Sequence, residues 1–170
     1  MVFLWPYDCP TPPLPEHSRP CRRPFAPAAL PDLAAIEGIA KRAYAPYIAR
    51  IGREPAPMLE DYSCLVLARQ VWVLEEQQAI AGFVVLLDAH QALLLDNLAV
   101  HPEAQGRGHG RQLLAFAEQQ AAAAGHSCVR LYTNAAMSEN IALYSRHGYV
   151  ETHRAVEHGL HRVYMSKPLD

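Results

Sequence analysis

Several common features are scarce in this sequence, and each absence removes a class of function. Four cysteines, Cys9, Cys21, Cys64 and Cys128, are spread along 170 residues. They form no Cys-x-x-Cys pair or other metal-ligand spacing, and a chain of this length has core enough without disulfide staples. Reduced thiols and a cytoplasmic location are expected. No apolar run approaches the ~18–20 residues that span a bilayer. The opening MVFLWPYD lacks the basic segment and long apolar stretch of a secretory signal, so neither export nor membrane association is expected. Charge of one sign is not in excess. A formal net charge of −2 and no concentrated basic face give no general attraction to nucleic acid. Nine histidines, including His153, His158 and His161 near Glu157, show no diagnostic ligand spacing, and no metal site is expected.

The balance of 51% hydrophobic and 19% charged residues is that of a folded globular domain. Eight of the fourteen prolines fall between Pro6 and Pro27. Such density blocks helices and removes sheet donors. Residues 1–20 therefore read as a proline-rich arm, either laid over the body through Phe3, Leu4, Trp5 and Tyr7 or disordered. Residues 21–170 read as one domain.

Within it, Asp32 after Pro31 marks a helix over residues 33–45, ended by Pro46. Residues 48–57 read as a loop of aromatic and charged residues, either lining a substrate site or merely joining helices. A second helix is expected over 58–70, with Asp61 inside it. Strands at 71–75 and 80–87 form a hairpin. A third strand at 93–100 meets the break His101-Pro102 and a glycine-dense turn, Gln105-Gly106-Arg107-Gly108-His109-Gly110. A helix over 111–124, a strand at 128–133, a helix over 139–147 begun by Ser138, and a final hairpin about Gly159 complete the chain. The strand–helix–strand crossover makes strands 93–100 and 128–133 parallel. The expected class is α/β of the α+β type. It has a mixed, mostly antiparallel sheet of six to seven strands and helices on both faces.

Strand, glycine turn, helix is an order that aims backbone N–H groups and a positive helix end at one point, where an anion binds. Two phosphate motifs fail on inspection. No Lys-Ser/Thr follows the glycines, as a P-loop requires. Arg111 stands where a dinucleotide fingerprint needs its third glycine. What fits is Gln-x-x-Gly-x-Gly: Gln105, Gly108 and Gly110, preceded by Asn97-Leu98-Ala99-Val100. This resembles the acetyl-CoA motif of the GNAT superfamily of N-acetyltransferases. Leu131-Tyr132-Thr133-Asn134, Asn140 to Tyr144 and His147-Gly148-Tyr149 are similar to the superfamily's second CoA-contacting segment.

The resemblance implies an acetyl-CoA-dependent N-acetyltransferase acting by direct amine attack in a ternary complex. The alternative is a non-catalytic acyl-CoA-binding sensor or scaffold. It implies pyrophosphate on the backbone of Gly106, Arg107, Gly108, His109, Gly110 and Arg111, with side-chain contacts from Gln105 and Arg107. The pantetheine arm would pair with Leu98, Ala99 and Val100 in a splay between the parallel strands. Asn140 would anchor the cofactor, and Tyr144 would protonate the thiolate. The base is open among Asp96, Glu75, Glu54, Asp61 and an ordered water. Asn97 stands where a carboxylate is often found, and strand alternation puts Asp96 and Asn97 on opposite faces. Tyr44, Tyr47, Glu54, Asn97 and Asn134 are candidates to line the acceptor pocket. The acceptor is a small-molecule or protein amine, not nucleic acid, and dimers are common in this fold.

Overall fold

A computed structural model describes residues 24–169 of the chain. The arm expected over residues 1–20, with Cys9, and also Cys21 lie outside the described residues. Seven strands make one sheet: β1 (Phe25–Pro27), β2 (Val71–Glu76), β3 (Ala79–Ala89), β4 (Ala92–Val100), β5 (Cys128–Asn134), β6 (Val150–Glu157) and β7 (Leu160–Pro168). Their spatial order is β1-β2-β3-β4-β5-β7-β6, and among the described residues β4–β5 is the single parallel pair. The described residues also form the helices α1 (Leu33–Tyr44), α2 (Ile48–Ile51), α3 (Tyr62–Leu67), α4 (His109–Ala123) and α5 (Ser138–Arg146). The expected fold class holds.

The sheet separates two cores. On one face Leu93 and Leu95 of β4 pack with Leu113, Leu114 and Ala117 of α4 and with Tyr144 of α5. On the other, Ile36, Ile39 and Tyr44 of α1 pack with Tyr62 and Val66 of α3. The middle of β3, from Ala81 to Leu86, is buried throughout, as a strand covered on both faces must be.

Two irregularities position the site. The first is a bulge in β4. Val85 faces Asn97 and Leu86 faces Leu95, leaving Asp96 as an extra residue. The bulge shifts the alternation of the strand. Beyond it Leu98 and Val100 stay on the α4 side, whereas Ala99 joins the core under α1. The second is the end of the parallel ladder. β4 and β5 pair only from Ala92–Cys128 to Leu95–Leu131, while β5 stays with β7 as far as Asn134–Arg162. Past Leu95 the two strands separate.

Some boundaries differ from those expected. Residues 48–51 form a helical turn instead of loop. α3 is short because Asp61 caps it, its carboxylate accepting from the amides of Ser63 and Cys64. Pro55 and Pro57 confine residues 56–58 to a separate 3-10 turn. Ser138 is not the cap of α5: Met137 holds that position, and the Ser138 hydroxyl donates to Glu139 instead.

Gly82 marks where β3 and β4 pack most tightly. A Cβ there would lie 2.7 Å from the Ala99 carbonyl oxygen and 3.1 Å from Leu113. Gly82→Ala is expected to destabilise the domain by about 1–3 kcal/mol, measured as a lower urea midpoint with an unchanged slope.

Candidate active site

The separation of β4 from β5 leaves backbone groups facing open space, and pairing parity shows which ones. The His101 amide donates to the Ala81 carbonyl, so His101 and Ala81 form a hydrogen-bonded pair. Pairs of that kind alternate along an antiparallel ladder. Ala99 and Asn97 therefore bond to β3, while Leu98 and Val100 turn their N–H and C=O toward the gap. Both carbonyls are covered: the Tyr44 hydroxyl, whose one proton goes chiefly to Asn97, lies 3.1 Å from Leu98 O, and Gln105 Nε2 donates to Val100 O at 3.1 Å. The amides of Leu98 and Val100 meet neither neighbouring strand.

An outer cleft of about 900 Å³ follows from this gap. Gly106 and Gly108 take φ of 77° and 85°, in the left-handed region where a side chain is strained. A Cβ on either would meet nothing within 4 Å, so the loop borders open space. Gln112 N donates to Gly108 O as the first bond of α4. The amides of His109, Gly110 and Arg111 thus have no carbonyl one turn back. They share the positive end of a 15-residue helix.

Arg111 lines this cleft, as do Arg42, Arg50 and Arg146. Arg42 and Arg146 were not foreseen; each bonds the carbonyl four residues earlier in its own helix. Arg50 Nη1 sits 2.8 Å from both carboxylate oxygens of Glu139. Tyr47 lines the same cleft, with Arg50 5.5 Å over its ring. Arg107 lies elsewhere, 3.2 Å from Glu76, and is not part of the cleft wall. His109 is buried, with Nε2 3.3 Å from Glu76 and Nδ1 unpartnered among the described residues.

Beyond the gap lies an inner cavity of about 150 Å³. Tyr44, Leu98 and Asn140 line both spaces and form the passage between them. Tyr144 lines the inner cavity, buried, with no hydrogen-bond partner for its hydroxyl among the described residues. Burial, and secondarily Tyr47, pushes its pKa well up, so it remains a phenol. Asn134 also lines this cavity, its Oδ1 accepting from the Ala136 amide at 2.9 Å.

Asp96 and Asn97 both line the inner cavity, against the expectation of opposite faces; the bulge at Asp96 breaks the alternation on which that expectation rested. Their roles differ. Asp96 Oδ1 accepts from the Tyr132 hydroxyl at 2.9 Å. Burial first and the Asp96 charge second hold Tyr132 up to about 12, so it stays a donor. Asn97 is buried in a hydrogen-bonded chain. Its Oδ1 accepts from Tyr44 at 2.5 Å, and its Nδ2 donates at 2.8 Å to Tyr62, which donates at 2.7 Å to Pro57 O. Both ends of the amide are therefore engaged, which fixes its orientation.

Of the other acids considered, Glu54, Glu75 and Asp61 line neither space. Glu60, Tyr62 and Arg162 do line the inner cavity and were not foreseen. Glu60 was hidden by reading residues 58–70 as one helix, although Asp61 is itself a cap signal. The ring of His153 stacks on Tyr164 at 4.3 Å. Among the described residues no three His, Cys, Asp or Glu side chains gather as a metal site.

The sheet is splayed beside a glycine turn, and an arginine-lined cleft leads from there to a tyrosine-lined cavity. Residues 68–151 match the family model of the acetyltransferase (GNAT) domain, and the chain belongs to the GNAT acetyltransferases. No curated protein matches it in sequence. Among solved structures, the PaiA N-acetyltransferase from Thermoplasma acidophilum in complex with coenzyme A aligns with TM-score 0.73 at 20% identity. That alignment covers 85% of this chain and 97% of that one. The ribosomal-protein-S18-alanine N-acetyltransferase from Escherichia coli aligns at 0.68 and 21%, covering 86% and 93%. Nourseothricin acetyltransferase aligns at 0.56 and 25%, over 59% of this chain and 65% of that one.

Asn97 gives a test of the buried chain. Because Tyr62 gives its proton to Pro57, the group at position 97 must donate to Tyr62 while accepting from Tyr44. A carboxylate cannot do both. Asn97→Asp is expected to cost about 1–3 kcal/mol in chemical denaturation and to bring no gain in turnover.

Proposed function

We propose that this chain moves the acetyl group of acetyl-CoA to a primary amine by direct attack within a ternary complex. The observation that carries this reading is the pair of unpaired amides, Leu98 and Val100, set between an anion-binding loop and a cavity holding Asp96 and Tyr144. The residues fit the cofactor. Open space above Gly106 and Gly108 admits a pyrophosphate onto the loop and the first amides of α4, beside Arg42, Arg111 and Arg146 of the cleft wall. The Thermoplasma acidophilum neighbour, solved with coenzyme A, lends support through the shared fold.

When bound, acetyl-CoA supplies a thioester activated toward nucleophiles. The chain's residues do the rest. The amides of Leu98 and Val100 hold the pantetheine arm as a neighbouring strand would, and one faces the thioester oxygen. A donor placed there contributes about 2.7–4 kcal/mol to the transition state. Asp96 Oδ2, not engaged by Tyr132, accepts the proton of the attacking amine. As the C–N bond forms and the C–S bond breaks, Tyr144 donates its proton to the departing sulfur. The raised pKa of Tyr144 keeps that proton in place until the sulfur takes it.

Tyr144→Phe is expected to lower kcat at least several-fold with little change in KM for acetyl-CoA, read by thiol release in steady state. Unchanged turnover would remove Tyr144 from the acid role. Gly108→Glu is expected to abolish acetyl-CoA binding by placing a charge and a side chain in the anion space. Calorimetry reads the loss, and circular dichroism confirms that the variant is folded. Retained micromolar affinity would contradict the pyrophosphate assignment.

A further inference from the structure

The inner cavity has a chemistry that selects among amines. Two carboxylates line it: Asp96, in the bulge of β4, and Glu60, an exposed residue. Each keeps one oxygen without a partner. Asp96 is held through Oδ1 by Tyr132, and Glu60 accepts only the Asp61 amide, on Oε1 at 3.2 Å. Arg162 is the single basic residue of the wall among the described residues, and it is already committed. Its Nη1 lies 3.2 Å from Glu157, and its guanidinium covers the Tyr132 ring at 4.4 Å. No uncommitted cation is left to receive a substrate carboxylate.

The same wall carries the apolar side chains of Ile51, Pro55, Pro57, Met137 and Leu160. Tyr144, 5% exposed and without a partner for its hydroxyl among the described residues, also lines this space. Size and entrance narrow the choice further. About 150 Å³ is roughly the room that one benzene molecule fills, or some six heavy atoms. Arg53 Nη2 donates to His158 O at 2.7 Å, tying the segment after α2 to the β6–β7 turn. Ile51 and Pro55 on one side of this tie, and Leu160 on the other, are cavity residues. The small volume suits a short linear molecule better than a polypeptide.

We propose that the acceptor is a short aliphatic diamine, taken up with one nitrogen at Asp96 and the other, as an ammonium, at Glu60. The nitrogen at Asp96 is acetylated and its proton leaves as described above. The far ammonium keeps its charge, and the methylenes lie along the apolar wall. The assignment rests on the acetyl-transfer reading and specifies its acceptor.

Purified full-length protein with acetyl-CoA is offered 1,4-diaminobutane, 1,5-diaminopentane, the monoamines of equal length, 4-aminobutyrate and a lysine peptide, with thiol release as readout. The diamines are expected to exceed the matched monoamines at least tenfold in kcat/KM, and 4-aminobutyrate and the peptide by more. Glu60→Gln is expected to bring the diamine-to-monoamine ratio close to one, mainly through KM. Equal rates for diamine and monoamine, a preference for 4-aminobutyrate or the peptide, or an undiminished ratio in Glu60→Gln would overturn the diamine assignment and leave acetyl transfer standing. If acetyl-CoA binds but no amine releases thiol, the transfer reading falls. Calorimetric titration of the CoA-loaded protein with 1,4-diaminobutane then decides the cavity assignment separately: binding that weakens tenfold in Glu60→Gln sustains it, and absence of binding ends it.

Discussion

Everything at this site depends on one sheet giving up part of a ladder. After Leu95–Leu131 the parallel pairing of β4 and β5 stops, and the backbone groups of Leu98 and Val100 lose the neighbour that would satisfy them. Buried polar groups left so are costly, yet the chain does not compensate for all of them. The Gln105 amide meets the Val100 carbonyl and the Tyr44 hydroxyl covers the Leu98 carbonyl at 3.1 Å, while the amides are left facing the gap. The result is a strand edge that offers donors and withholds acceptors. Such an edge favours a ligand rich in carbonyl oxygens and disfavours pairing with another strand, which needs both. Gln105 lines the outer cleft, and its side chain ties the loop to the end of β4.

The buried chain of Tyr44, Asn97 and Tyr62 is what holds that edge in place. It links α1, β4 and the start of α3 through hydrogen bonds of 2.5 to 2.8 Å, inside an otherwise apolar core. A network of this kind is costly if one member is missing and rigid when complete. It also explains an oddity of the primary structure. Asparagine stands at 97 because the buried chain needs a donor and an acceptor together, and a carboxylate reaches the cavity from the bulged neighbour, Asp96.

Much of this was readable beforehand, and the reasons for success and failure are physical. Element order followed from hydrophobic period and from glycine and proline punctuation, which act locally. The glycine-dense turn before α4 was legible because positive φ imposes residue type directly. The bulge left no such mark. Asp96 and Asn97 look like ordinary alternating strand residues, and a single inserted residue reverses the side on which everything after it falls. Glu60 and Arg162 were missed for a different reason: they come from a loop and a hairpin remote in sequence and meet only in the folded chain.

Charge, uninformative over the whole molecule, becomes informative when divided by cavity. A net of −2 hides an outer cleft lined by four arginines against one glutamate, Glu139, and an inner cavity lined by two carboxylates against a single, paired arginine. The two spaces meet at Tyr44, Leu98 and Asn140; Leu98 is two residues from Asp96, and Asn140 one helical turn from Tyr144. On the proposed reading, opposite potentials on the two sides of this passage would order the ligands without a moving part. An anionic cofactor would be held on the arginine side and a cationic amine on the acid side, their reacting ends drawn to the stretch of backbone whose amides are unpaired. The splay between β4 and β5 therefore creates the binding groove and also divides the two electrostatic environments whose contrast sets the direction of approach.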